Sequence, residues 1–120
     1  MDLLLIAIMI VESGGMTTAH HKGTQARGLM QVTPIAAKQV QMDHPQATPR
    51  PNLHNPIEGV WYGKKYLEYC QGLTEGLDEA LACYNGGMRQ VRRMRKGLPL
   101  AKETREYIPK VKKILKLLEK

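Results

Sequence analysis

Phenylalanine is absent from the 120-residue sequence and tryptophan occurs once, so aromatics make up only 5% of it, while methionine, at seven copies, is used freely. Two cysteines, Cys70 and Cys83, are too few for a disulfide framework. They are not in CxxC spacing and fall in stretches that read as helix, so they are expected to be reduced thiols. With no HExxH motif and no Cys/His set, no metal site and no cofactor are expected. A bilayer span needs about 20 apolar residues, and the apolar run from Leu3 to Val11 is too short. That run also lacks a basic leading segment and a small-residue cleavage site, so it reads as neither anchor nor signal peptide. No stretch shows the convincing apolar–polar alternation of a strand, and there is no internal repeat or low-complexity tract.

What remains is an ordinary globular composition, 42% hydrophobic and 24% charged, of a length that fits one domain, residues 1–120. The net charge of +7 implies an anionic partner: nucleic acid, a lipid surface or an anionic wall polymer. The basic stretches carry no recognition motif and no interleaved aromatics, which argues against nucleic acid.

Punctuation along the chain cuts it into helices, giving an expected all-α fold. Leu3–Val11 reads as a buried first helix, stopped by Glu12, Ser13 and the Gly14-Gly15 pair. A polar loop runs from Met16 to Arg27. Thr33-Pro34 then supplies an N-cap and an N1 proline for a short helix to about Val40. Four prolines from Pro45 to Pro56 break regular structure, making the segment from His44 to Pro56 the least ordered and a candidate lid. Further helices are expected from Pro56 to Cys70, from Thr74 to Gly86, from Met88 to Lys96, and from about Glu103 onward. In the last, Val111, Ile114, Leu115 and Leu118 share one face.

Glu12 is the first residue of chemical interest. A carboxylate directly after a run of aliphatic residues is open to desolvation, which raises its pKa toward the protonated form a general acid needs. By position alone a solvent-facing helix-terminal Glu explains it better. Its context changes the balance. Downstream lie Gly28-Leu29-Met30-Gln31 before Thr33-Pro34, then Gly63-x-x-Tyr66-Leu67, then Ala82-Cys83-Tyr84-Asn85-Gly86-Gly87, then Glu103-Thr104-Arg105-Glu106-Tyr107-Ile108. In this order and at these intervals the blocks resemble the lytic transglycosylases of the soluble-transglycosylase type, over nearly the whole chain.

The resemblance implies a lysozyme-like single domain with a substrate groove, acting on the peptidoglycan of the bacterial wall. Glu12 would be the sole acid and base for the bond between N-acetylmuramic acid and N-acetylglucosamine, leaving 1,6-anhydromuramic ends. From Ser13 to Pro34 there is no Asp or Glu to serve as a partner. Glu103 is expected to support and orient. Gln31 and Met30 would bind substrate, with core packing an equal reading for Met30. Tyr84 would bond the acid or substrate, or else satisfy itself against backbone; the first reading is preferred. Asn85 would bind substrate beside it, and Tyr107 would close a wall. The family's loop serine is missing from MTTAHHKGTQAR, and Thr24 is the replacement candidate, ahead of Thr17 and Thr18. His20 and His21 in that loop read as solvated or substrate-facing. Gly59 and Cys83, where relatives often have Asn and usually Ala, read as tolerated packing changes.

Two alternatives stand beside this reading: a goose-type lysozyme-like hydrolase of the same bond, and a non-catalytic wall-binding or virion subunit. A monomer is expected, acting in the periplasm or cell wall. The missing leader suggests a phage-encoded endolysin or virion-associated enzyme. Arg89, Arg92, Arg93, Arg95 and Lys96, with the lysines of the basic C-terminal helix, form either a solvated face or a contact for anionic wall polymer or membrane.

Overall fold

The computed structural model describes residues 2–120. Six helices and one small hairpin follow in the order α1 (Leu3–Ser13), β1 (His20–His21), β2 (Ala26–Arg27), α2 (Pro34–Asp43), α3 (Pro56–Leu73), α4 (Gly76–Gly86), α5 (Met88–Arg95) and α6 (Lys102–Leu118). The helix starts are chemical. Asp2 accepts from the Leu5 N–H, Thr33 from that of Ala36, and Asn55 from those of Ile57 and Glu58, with Pro34 and Pro56 in first-turn positions that need no donor. The fourth helix starts differently from the sequence expectation. Thr74 closes α3, its hydroxyl donating to the Cys70 carbonyl, and Glu75 precedes α4 without a side-chain cap.

Helix α4 is the centre of the molecule. Ala80, Leu81, Ala82, Cys83 and Tyr84 are all buried, so no side of this stretch faces water. A helix can be apolar all round only when neighbours surround it, and α3, α5 and α6 pack on it. In turn α1 packs on α6, and α2 on α3. Helix α1 buries Leu5, Ala7 and Ile8 but leaves Leu3 and Ile10 each 40% exposed, so it is a flanking helix rather than an enclosed one. In α6, Val111 is buried, and Ile114, Leu115 and Leu118 pack against the core.

The two cysteines correct the sequence reading. Cys70 of α3 and Cys83 of α4 are joined in a disulfide, with Cα atoms 5.7 Å apart and both side chains fully buried. Cys83 is thus a cross-link and not a packing change. The bond closes a loop with a sequence separation of 13, for which chain-entropy arguments give about 3 kcal/mol. Replacing both cysteines by alanine should therefore lower the urea midpoint by the equivalent of about 2–4 kcal/mol. Two free thiols titrated in the unfolded, unreduced parent would contradict the bond itself.

The proline-rich segment is irregular but fastened. The Tyr62 hydroxyl donates to the Thr48 carbonyl, the Gln41 amide to that of Pro49, and His54 Nδ1 bonds the Thr17 carbonyl at 2.8 Å. The Leu53 carbonyl lies so close to Gly28 and Gly59 that a Cβ on either would collide with it. These anchors make the segment a strut, not a lid. They also give Gly59 a steric reason, since a side chain there would push the loop away.

Candidate active site

Helix α1 delivers its last turn to a groove. Gly14, left-handed at φ 64°, caps the helix by donating to the Ile10 carbonyl, and Ser13 turns its hydroxyl back to the Met9 carbonyl. Glu12 therefore sits on the final rigid turn. The groove has a volume of about 610 Å³ and is lined by Val11 and Glu12 from α1, His21, Thr24, Ala26 and Gln31 from the hairpin region, Asn85 from α4, and Lys102, Glu103, Glu106, Tyr107 and Lys110 from α6. Because α1 and α6 pack directly together, one interface fixes the carboxyl of Glu12 against the wall that faces it.

Its electrostatics are those of a protonated acid. Burial pushes the Glu12 carboxyl up from 4.5 to about 8; the Tyr107 hydroxyl partly offsets this, and the charge of Glu103 adds to it. Tyr107 is itself 4% exposed, and its buried hydroxyl has no described partner other than the Glu12 carboxyl beside it. Burial, then the negative charge of Glu12, holds the Tyr107 hydroxyl well above its ordinary range, so it remains a donor. A buried donor left with a single carboxyl for a neighbour calls for an explanation. Here it is placed to stabilise Glu12 whenever the carboxyl ionises.

Gln31 has φ 49°, an uncommon left-handed conformation for a residue with a side chain. Its amide donates to the Gly28 carbonyl at 3.0 Å, leaving the amide oxygen as an acceptor. Gly28, with φ 81°, supplies the turn that precedes it. Asn85 donates to Glu103 at 3.3 Å and accepts from the buried Thr104 hydroxyl at 2.8 Å. This chain ties the end of α4 to the start of α6 and orients Glu103, so Glu103 has a supporting place as well as a position in the groove.

Six of the residues singled out in the sequence, Glu12, Gln31, Thr24, Asn85, Glu103 and Tyr107, meet in this groove, and two do not. Met30 is fully buried and fills the space left by Gly63, where a Cβ would overlap its side chain. Tyr84 donates its hydroxyl to the Met30 carbonyl at 2.7 Å, and neither residue lines the groove. Both are corrected from substrate contacts to supports: Tyr84 holds the backbone segment that presents Gln31. Thr24 reaches the groove, but its hydroxyl bonds His21 Nδ1 at 3.0 Å. The sequence reading missed Lys102, Glu106 and Lys110, which follow one another at i, i+4 along α6 and could have been found from that spacing. Among the described residues there is no group of three or more His, Cys, Asp or Glu placed to hold a metal ion. No described helix is long and apolar enough to cross a membrane.

The basic surface is smaller than its sequence count. Arg95 pairs with Glu79 at 2.9 Å and also donates to the Leu73 carbonyl, Arg93 donates to the Pro99 carbonyl, and Lys112 pairs with Asp78. Arg89, Arg92 and Lys96 are exposed.

Comparison with known proteins places this arrangement. The family profile described as Transglycosylase SLT domain matches residues 1–107. The fold superposes with a TM-score of 0.81 on an inactive mutant of the lytic transglycosylase Slt from Pseudomonas aeruginosa, at 28% identity over 94% of this chain. The 70 kDa soluble lytic transglycosylase of Escherichia coli gives 0.84, at 23% identity over 94% of this chain. The chain spans only 20% and 21% of the lengths of those two proteins.

Proposed function

Since the chain belongs to the transglycosylase SLT domain family and shares its lysozyme-like fold, we propose that it cleaves peptidoglycan glycan strands with Glu12 as acid and then base. The observation that carries this is the half-buried Glu12, which lines the groove and whose carboxyl burial raises to about 8. Glu12 gives its proton to the oxygen leaving C1 of the muramic residue. The substrate's acetamido oxygen stabilises C1 as that bond breaks. The Glu12 carboxylate then removes the proton from the C6 hydroxyl as O6 closes onto C1. The proton count closes without water, and Glu12 ends as it began. Tyr107 supports the middle of this cycle, donating to the carboxylate while it is charged.

A second reading has one specific observation behind it. Retaining and inverting glycosidases use two carboxylates, and Glu103 and Glu106 both line this groove. In that case water would open the bond and leave reducing ends. Mass spectrometry of digested peptidoglycan separates the two chemistries. Muropeptides lighter by one water, with no reducing muramic end, are the expected products; reducing ends alone would establish the hydrolase instead.

The setting belongs to the same proposal. A buried disulfide persists in oxidising surroundings, which supports action at the wall, outside the cytoplasm. Exposed Arg89, Arg92 and Lys96 suit contact with anionic wall polymer.

A further inference from the structure

We propose that His21 is a substrate-positioning residue that donates a hydrogen bond from Nε2 to an acetamido carbonyl oxygen of the glycan beside Glu12. This inference rests on the glycan-cleaving reading of the groove.

The hairpin sets which histidine faces the groove. His21 pairs with Ala26, and His20 with Arg27. Neighbouring strand residues point to opposite faces. His21 and Ala26 line the groove, whereas His20 bonds the side chain of Gln25 through Nε2 at 3.0 Å.

The loop then fixes the ring and its tautomer. The Thr24 backbone N–H donates to His21 Nδ1 at 3.1 Å, and the Thr24 hydroxyl lies 3.0 Å from the same atom. A backbone N–H can only donate, so Nδ1 carries no proton and the neutral ring carries its hydrogen on Nε2. The ring also lies against Gly23, where a Cβ would stand 3.0 Å from Cε1. No described residue accepts from Nε2, so the donor is free for a ligand. The hydroxyl expected from sequence to face the substrate is instead the one that orients His21.

The acceptor follows from the substrate class. On an amino-sugar strand the acetamido carbonyl is a stronger neutral acceptor than a hydroxyl, and the proposed mechanism requires this group to be placed near C1. A fixed N–H donor in the same groove as Glu12 is suited to hold it or the equivalent group on the neighbouring sugar.

The test uses the full chain carrying Glu12→Gln, which binds without turnover, titrated calorimetrically with a soluble tetrasaccharide of alternating N-acetylglucosamine and N-acetylmuramic acid. Adding His21→Ala or His21→Asn should weaken binding about five- to tenfold, the range for one net hydrogen bond. Asn can still accept from Thr24 but cannot reach the groove. His21→Gln, whose amide can place an N–H near the position of Nε2, should stay within about threefold. Equal binding by His21→Ala, or His21→Gln as weak as His21→Ala, overturns the assignment. Long-range proton–nitrogen spectra of the otherwise native chain provide a readout that needs no variant: a neutral His21 protonated on Nδ1 would also overturn it. If the parent leaves peptidoglycan uncut and Glu12→Gln binds no tetrasaccharide, the reading of the groove fails and this inference falls with it. If the parent cuts and His21 variants bind normally, only this inference fails.

Discussion

Glu12→Gln should abolish glycan cleavage while leaving the fold intact. Loss of a positioned general acid or base costs about 10²–10⁴-fold in rate, and in the proposed mechanism one side chain serves both steps, so a fall of at least about 10³-fold is expected. Gln has nearly the shape of a protonated Glu, and the Glu12 site is already tuned to the neutral form. The substitution therefore removes the transferable proton with little change in packing. Release of soluble muropeptides from purified peptidoglycan, measured alongside circular dichroism, checks this. A folded variant that clears peptidoglycan at the parent's rate would remove Glu12 from the mechanism.

The same substitution should make the protein more stable at alkaline pH. The Glu12 carboxyl is raised from 4.5 in the unfolded chain to about 8 in the folded one. Between those values the folded state holds a proton that the unfolded state has released, so stability falls as pH rises through the interval. Below it both states are protonated and nothing is lost; above it the full cost is present. At about 1.4 kcal/mol per pH unit the cost amounts to several kcal/mol. Glu12→Gln escapes it, and should melt about 10 °C above the parent near pH 9 while matching it near pH 4. Melting curves of the two proteins across pH decide the matter, and a difference that does not grow with pH would mean that the carboxyl is solvated. Parent activity should also fall as pH rises above about 8, where the acid is lost.

The parts of this structure that could be read from sequence are those written in neighbouring residues. Thr33-Pro34 and Asn55-Pro56 specify their helix starts locally, and both caps form as that chemistry dictates. Glu12, which lines the groove, stands out in the sequence because a short apolar run ends on it and later blocks keep a fixed order. What could not be read depends on contacts between distant segments. Tyr84 finds the Met30 carbonyl across 54 residues, and nothing in the stretch around Tyr84 tells a hydroxyl aimed at backbone from one aimed at substrate. Cys70 and Cys83 face each other only because α3 and α4 cross at that height. Thr24 and His21 were both in view, but only the turn geometry reveals that the first serves the second.

The Leu53 carbonyl, wedged between Gly28 and Gly59, limits how this domain can be recombined. Those two positions lie far apart in the chain yet accommodate the same atom. A chimera that takes residues 44–55 from a relative must keep both glycines, or replace all three elements together. Changing one glycine alone would shift the strut, pull His54 from the Thr17 carbonyl and displace the loop that follows α1. Gly28 also opens the turn that presents Gln31, so a graft made for its loop would be felt in the groove.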